Sequence, residues 1–392
     1  MKSSVTKAVS ADLVYTGNSD PIKNGIVEYD ETGEIVFVGK AERYEGNSVE
    51  KLHGLLCPGF VNTHCHLELS HLKDKLDQQT GLPSFVQNIQ KLRAVEIDLQ
   101  MQAMESADKE MHKNGIMAVG DISNSSISFE TKARSNLHYH TFVELFGFEK
   151  KKAEVIFEKG KEVVQELDNF KLSGNLTPHS PYSVSSELMK KIALSVEGKP
   201  MSIHNQETAE ENRMFIEGKG KMMEMLQAFK SDISDWQPAK CSSIRSYLPD
   251  LRTNNKLLLV HNTFTSAEDM RWGERNHAQL YWCFCPNANL FIEGRLPEMD
   301  IFANADVKCT LGTDSLASNR GLSILEEMKT IQENFPQIPL RKLMEWATVN
   351  GAEFLGLDDR LGTLEKGKRP GLLHIKGVSD GYLKNTTVSR LA

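Results

Sequence analysis

Eight short apolar runs, separated for the most part by stretches with helical periodicity, constrain this sequence more than any other feature. They lie near Leu56–Thr63, Ile116–Ile122, Tyr139–Phe146, Leu172–Thr177, Met201–His204, Lys256–His261, Leu280–Cys285 and Val307–Thr313. Beyond the last of them Leu322, Leu325, Met328, Ile331 and Phe335 recur at the spacing of one helix face. Short runs alternating with helical segments read as strands of a mainly parallel sheet. Eight such units are the sequence form of a (β/α)8 TIM barrel, so the expected class is α/β with a barrel at its centre. An open doubly wound sheet is the competing layout, which counting runs does not exclude.

The two ends of the chain differ from this middle. Residues 11–16, 25–30 and 34–39 read as short strands joined by turns, with no helix between them. A helix is expected from Leu340 to about Leu355, ending at Gly356, and strand character returns at residues 362–364 and 372–375. The expected division is a small β-sandwich built from residues 1–56 and 361–392 beside a metal-binding TIM barrel of residues 57–360. The stretch from Glu207 to Leu251 is long for one barrel helix and holds Gly218, Gly220 and Pro238, so a lid or insertion over the barrel mouth is expected there.

Composition narrows the partners. Hydrophobic residues at 40% and charged residues at 25% of 392 fit a globular protein. A net charge of −7 without a basic stripe argues against a nucleic-acid partner. No stretch approaches the ~20 apolar residues of a membrane span. The segment Met1–Val9 lacks the apolar core of a secretory signal. The six cysteines form no C-x-x-C pair, and most sit in apolar runs as reduced thiols do. The expectation is a cytoplasmic protein with a small-molecule substrate and neither a nucleic-acid nor a membrane partner. Barrel enzymes often pair, so a homodimer is the expected assembly.

The chemistry gathers at the C-terminal ends of the runs, which line the active site of a TIM barrel. The first run ends in His64-Cys65-His66, and in extended backbone residues i and i+2 face the same side. Cys65 then points into the barrel wall and is left out of the ligand set. The fifth run ends in His204, with Glu207 three residues on; the sixth ends in His261 and the eighth in Asp314. An aspartate closing an apolar strand is unfavourable in a core unless something compensates its charge, as a metal ion does. A lone strand-end histidine is more often a satisfied core residue, but four strand ends together offer nitrogen and oxygen ligands without thiolate. That donor set suits one divalent ion, Zn²⁺ first and Fe²⁺ as the alternative.

The segments Pro58–Glu68, Leu311–Ser315, Ala347–Ala352 and Leu361–Lys368 resemble the first strand, eighth strand, last barrel helix and returning sandwich of the amidohydrolase superfamily. The pattern is similar to its adenosine and cytosine deaminase-like branch. Binuclear members carry a carboxylated lysine at strand four, whereas the fourth run here leads into Pro178-His179-Ser180, which favours one metal. The resemblance implies His64, His66, His204 and Asp314 as metal ligands. It implies Glu207 as acid/base, His261 as a catalytic residue outside the metal shell, and Asp314 as a ligand that also accepts a hydrogen bond from the attacking water.

The segments Pro178–Val184, Phe284–Asn289 and Thr313–Asn319 look most like the aminofutalosine deaminases. That resemblance implies hydrolytic removal of the amino group of 6-amino-6-deoxyfutalosine, a step of menaquinone synthesis, with release of ammonia. His179, Asn289 and Ser318 would then contact substrate. Because that substrate carries a benzoate, an arginine contact is expected, with Arg295 taken ahead of Arg213 and Arg320. The alternatives are an adenosine or S-adenosylhomocysteine deaminase, or an amide or halide hydrolase such as an imidazolone or triazine hydrolase.

Overall fold

The computed structural model describes residues 5–17, 19–46, 48–251 and 254–392; Met1–Ser4, the start of the N-terminal segment read above, lie outside them. Chain order begins with strands β1 (Thr6–Val14), β2 (Ile22–Asp30), β3 (Ile35–Lys40), β4 (Val49–Lys51) and β5 (Leu55–Pro58). The barrel strands follow: β6 (Phe60–Cys65), β7 (Ile116–Ser123), β8 (His138–Leu145), β9 (Ser173–Pro178), β10 (Met201–Asn205), β11 (Leu257–His261), β12 (Leu280–Phe284) and β13 (Lys308–Leu311). The chain closes with β14 (Leu372–Lys376) and β15 (Thr387–Arg390).

Each of the eight apolar runs carries a barrel strand, and the strands pair in parallel as β6-β7-β8-β9 and β10-β11-β12-β13. Strands buried on both faces need no alternation, and every residue of β6, β10, β11 and β12 is buried. Side chains help to join the two halves. Between β9 and β10 the Thr177 hydroxyl donates to the Ser202 carbonyl at 2.5 Å and accepts from the Ser202 amide at 2.9 Å. Between β13 and β6 the amides of Thr313 and Asp314 both donate to the His64 carbonyl, at 3.0 and 3.1 Å. Gly312 permits that approach: a Cβ there would lie 2.8 Å from the His64 Cβ.

The first run divides at Gly59. Its start is β5, in the terminal sheet, and its remainder is β6, in the barrel. A Cβ on Gly59 would meet the Met117 side chain at 2.1 Å and the Pro370 carbonyl at 2.7 Å, so only glycine passes between the two units. Both ends of the chain meet in one sheet, ordered β15-β14-β5-β1-β2-β3 with β4 beside β1, around a core that includes Val9, Val14, Val27, Ile35, Leu56 and Leu364. The helix expected over 340–355 is two, Leu340–Ala347 and Val349–Leu355. The break is at Thr348, whose hydroxyl donates back to the Met344 carbonyl at 2.7 Å, a bond that bends helices.

The 207–251 stretch forms helices Ala209–Glu217 and Lys221–Ala228, then an irregular crossing to a short helix, Ser243–Tyr247. Met214, Phe215, Met222 and Met225 pack with Leu82 and Phe85 of helix Leu82–Leu92, and with Tyr182 and Ile292, in a cluster separate from the barrel core. No helix among the described residues is long and apolar enough to cross a membrane.

Candidate active site

Strands β6 and β10 end in imidazoles, and an aspartate follows β13 on the same side of the barrel. The Nε2 atoms of His64 and His66 lie 3.1 Å apart, and those of His66 and His204 3.4 Å apart. Asp314 Oδ1 is 3.4 Å from His66 Nε2 and 3.7 Å from His64 Nε2. The His204 Nδ1–H donates to the His179 carbonyl at 2.7 Å, which leaves its Nε2 as a lone pair aimed into the cluster. Burial pushes the pKa of His64, His66 and His204 down, and neighbouring imidazoles reinforce this at His66 and His204. Neutral imidazoles are the ligand form. Burial also pushes Asp314 up, but the His64 hydrogen bond and the charges of His66 and His261 outweigh it and hold the carboxyl well below its usual range.

These residues fit a metal ion on the structure's own terms. Three imidazole Nε2 atoms and a carboxylate oxygen crowd one point, with neighbouring separations of 3.1 to 3.7 Å. Of six cysteines none joins the cluster, and Cys65 faces the apolar core as its place on the strand requires.

Glu207 and His261 stand beside this cluster. The His261 Nε2 is 3.6 Å from Glu207 Oε1. The His261 Nδ1–H donates to Asn289 Oδ1 at 3.0 Å, and the Asn289 amide is fixed in turn by donating to the Thr263 hydroxyl at 2.8 Å. Burial, then the charges of Asp314, Glu293 and Glu211, push the Glu207 carboxyl well above its usual range. Burial holds His261 down as neutral imidazole. The loop backbone is fixed from below: Glu211 accepts from the amides of Gln206 and Glu207, and the Gln206 amide group donates to Asp269.

The expected substrate residues fall in different places. His179 lines the cavity over the cluster; its Nδ1 is bonded to the hydroxyls of Ser180 and Ser183, both at 2.8 Å. Ser318 is wholly buried and donates to Asp314 Oδ2 at 2.5 Å, so it holds a ligand and does not meet the cavity. Asn289 likewise acts through His261. Arg295 is not brought to the cavity. It stacks 5.1 Å from the Phe264 ring and sits 3.6 Å from Glu298. Arg213 pairs with Glu210 and Glu217, and Arg320 is exposed.

Cavity residues that escaped the sequence reading include Arg93, Asn124 and Glu144. Glu144 is the last residue but one of β8, where one Oε accepts from Asn124 at 2.9 Å and the other lies 3.6 Å from His204 Nδ1. An acid inside the apolar run Tyr139–Phe146 was the same signal as Asp314 after the eighth. Arg93 follows helix Leu82–Leu92 and is the only lysine or arginine among the described residues lining this cavity.

The sequence pattern of the Amidohydrolase family matches residues 55–390. The chain belongs to that family. This amidohydrolase is therefore a hydrolase acting on carbon–nitrogen bonds. It is 27% identical to an adenosine deaminase of Helicobacter pylori, over 97% of this chain and 94% of that protein. It is 27% identical to a 5-methylthioadenosine/S-adenosylhomocysteine deaminase of Bacillus cereus, over 97% and 87%. Among solved structures, Helicobacter pylori aminofutalosine deaminase in complex with methylthio-coformycin superposes with a TM-score of 0.80 at 23% identity, covering 96% of this chain and 94% of that one. At that identity the likeness establishes the fold, an α/β TIM barrel with its small β-module.

Proposed function

We propose that this amidohydrolase hydrolytically deaminates the 6-amino group of a purine nucleoside, with 6-amino-6-deoxyfutalosine as its substrate. One observation carries the reading: three imidazole Nε2 atoms and the Asp314 carboxylate converge beside a buried Glu207 that is 3.6 Å from His261. The similarity to deaminases of adenosine-type substrates supports the aminopurine class. His64, His66, His204 and Asp314 would hold one divalent ion, Zn²⁺ by its donor set, and that ion supplies the Lewis acidity that makes water nucleophilic near neutral pH.

The chain's own residues carry the rest. Glu207, protonated because it is buried, gives its proton to the ring nitrogen next to the amino-bearing carbon, and that carbon becomes electrophilic. As the water oxygen bonds to that carbon, Asp314 takes the water's proton. The His261 Nε2 lone pair, fixed by Asn289 on the other side of the ring, accepts the remaining O–H and orients the nucleophile. Glu207, now a carboxylate, takes the hydroxyl proton of the tetrahedral centre and delivers it to the exocyclic nitrogen. The carbon–nitrogen bond then breaks, leaving a ring carbonyl and ammonia, and the proton held by Asp314 passes to Glu207 and restores both carboxyls. The zinc deaminases of another fold likewise use a glutamate outside the metal shell as acid/base.

The test is ammonia release by Zn²⁺-loaded protein from 6-amino-6-deoxyfutalosine, adenosine, S-adenosylhomocysteine, adenine, guanine and cytosine. Fast turnover of the first alone is expected. Turnover of a different purine would keep the chemistry and replace the substrate. Silence on all six with metal bound would move the protein to the amide or halide hydrolases.

A further inference from the structure

Strand β6 leaves its regular ladder just as it reaches the proposed ligands. It pairs with β7 as Val61 with Ala118 and Asn62 with Val119, then slips, and resumes as Cys65 with Asp121. Thr63 and His64 therefore stand against the single Gly120, the count of a β-bulge, which bends a strand and re-aims its side chains. Gly120 admits this close approach: a Cβ there would lie 2.6 Å from the Thr63 carbonyl oxygen. Beyond Cys65 the chain turns into the 3-10 helix Leu67–Leu72, with His66 capping its start at φ −122° and ψ 82°.

At that turn a side chain takes over from the ladder. Asp121 Oδ1 accepts from the Leu67 amide at 2.8 Å, which fixes the peptide plane that follows His66. Asp121 Oδ2 is held by Lys132, whose Nζ is 2.6 Å away, and both side chains are wholly buried. The Lys132 ammonium gives its other two donors to the Ser123 hydroxyl at 2.7 Å and the Thr141 hydroxyl at 3.2 Å, so it also ties β7 to β8. The Phe129 and Tyr139 rings flank it, with centroids at 5.7 and 5.6 Å. A buried ion pair is a weak source of stability, because apolar side chains of similar volume often serve the fold as well. Apolar side chains would not, however, accept from the Leu67 amide.

We propose that Asp121 and Lys132 are positioning residues for His66. The lysine fixes the carboxylate, and the carboxylate fixes the Leu67 amide. That bond holds the His66 backbone so that its Nε2 stays 3.1 Å from the Nε2 of His64 and 3.4 Å from that of His204. Neither Asp121 nor Lys132 offers an atom to the cluster itself. This rests on the reading of His66 as a metal ligand given above.

The experiment measures Zn²⁺ affinity by chelator competition, and the thermal midpoint of metal-free protein, in the native chain and three double variants. Asp121→Leu/Lys132→Met and Asp121→Ala/Lys132→Met remove both charges and the acceptor. Asp121→Asn/Lys132→Met removes both charges and keeps an oxygen for the Leu67 amide. Zn²⁺ affinity should fall about 10–100-fold in the two without the acceptor, the loss usual for a bond that supports a ligand, and stay within about threefold of native in Asp121→Asn/Lys132→Met. The metal-free midpoints of Asp121→Leu/Lys132→Met and Asp121→Asn/Lys132→Met should be similar, so lost stability does not produce that order. Native affinity in a folded protein without the acceptor, or an equal fall in all three, would overturn the assignment while the metal reading stood. Failure of both proteins without the acceptor to fold would make the bond a requirement of the fold and overturn it as well. A native protein with no affinity for Zn²⁺ would overturn the ligand reading and this assignment together.

Discussion

His261 and Asp314 hold their side chains on backbone that L-residues avoid, with φ of 75° and 54°. Gln206, just before Glu207, has φ 45°. Left-handed backbone at a residue with a side chain costs about 1–3 kcal/mol, and it persists where surrounding bonds hold it. The bonds here are specific: Asn289 on His261, Ser318 on Asp314, Glu211 on the amides of Gln206 and Glu207. Glu207→Gln keeps the shape and removes the proton, so metal content should be native while ammonia release falls by a factor of hundreds, within the ~10²–10⁴ of acid–base terms. Metal analysis beside a turnover assay reads both. Ser318→Ala removes the donor to Asp314 Oδ2, and loss of such a supporting bond costs about 10–100-fold in metal affinity or activity. A chelator competition should show weaker metal retention, and unchanged retention and rate would return Ser318 to ordinary packing. The four proposed ligands and Glu207 were legible as one cluster because each stands at or just after the end of an apolar run. Ser318 and Arg295 were not, because a side chain's direction beyond a strand end depends on contacts that no spacing encodes.

The eight barrel strands were legible for the same reason: a strand buried on both faces must be apolar throughout. What the runs did not show was where one strand changes sheets, since the break at Gly59 depends on Met117 and Pro370, far away in sequence. The helix break at Thr348 is similar, because a threonine inside a helical pattern carries no mark of which carbonyl it will bond. Strand β8 carries the clearest consequence at this scale. Burial pushes its Glu144 carboxyl up to about 8, and one of its oxygens has no hydrogen-bond partner. A carboxyl whose folded pKa is raised favours the fold below its ordinary pKa, and that contribution is lost as pH rises towards 8. Metal-free protein should therefore lose thermal stability between pH 6 and pH 9. In Glu144→Gln, which stays neutral throughout, the fall should be smaller. Equal slopes in the two would show that Glu144 does not titrate in this window.

The barrel is two four-stranded parallel sheets brought together at two seams, and the proposed ligands belong to both. His64 and His66 come from the end of β6 in one half; His204 from β10 and Asp314 from just after β13 complete the set from the other. A bound ion would then link the halves at the mouth, while the Asn62 side chain ties β6 to the β13 end deeper in the barrel, donating to the Thr313 hydroxyl at 2.8 Å and accepting from the Thr313 amide at 3.0 Å. A ligand that binds only the folded state stabilises it by about 2.7 kcal/mol at a free concentration 100 times its Kd. Adding Zn²⁺ to chelated protein should accordingly raise the unfolding midpoint in a concentration-dependent way. His66→Ala should abolish most of that rise, because it removes an Nε2 within 3.4 Å of both His204 and Asp314. Glu207→Gln should keep the rise in full, because in the proposed mechanism Glu207 supplies a proton and not a bond to the ion. Loss of the rise in Glu207→Gln would place that carboxylate among the ligands and leave the deamination without its acid. A midpoint indifferent to Zn²⁺ in the native protein would mean that the four donors, though gathered at one mouth from both halves, do not bind an ion together.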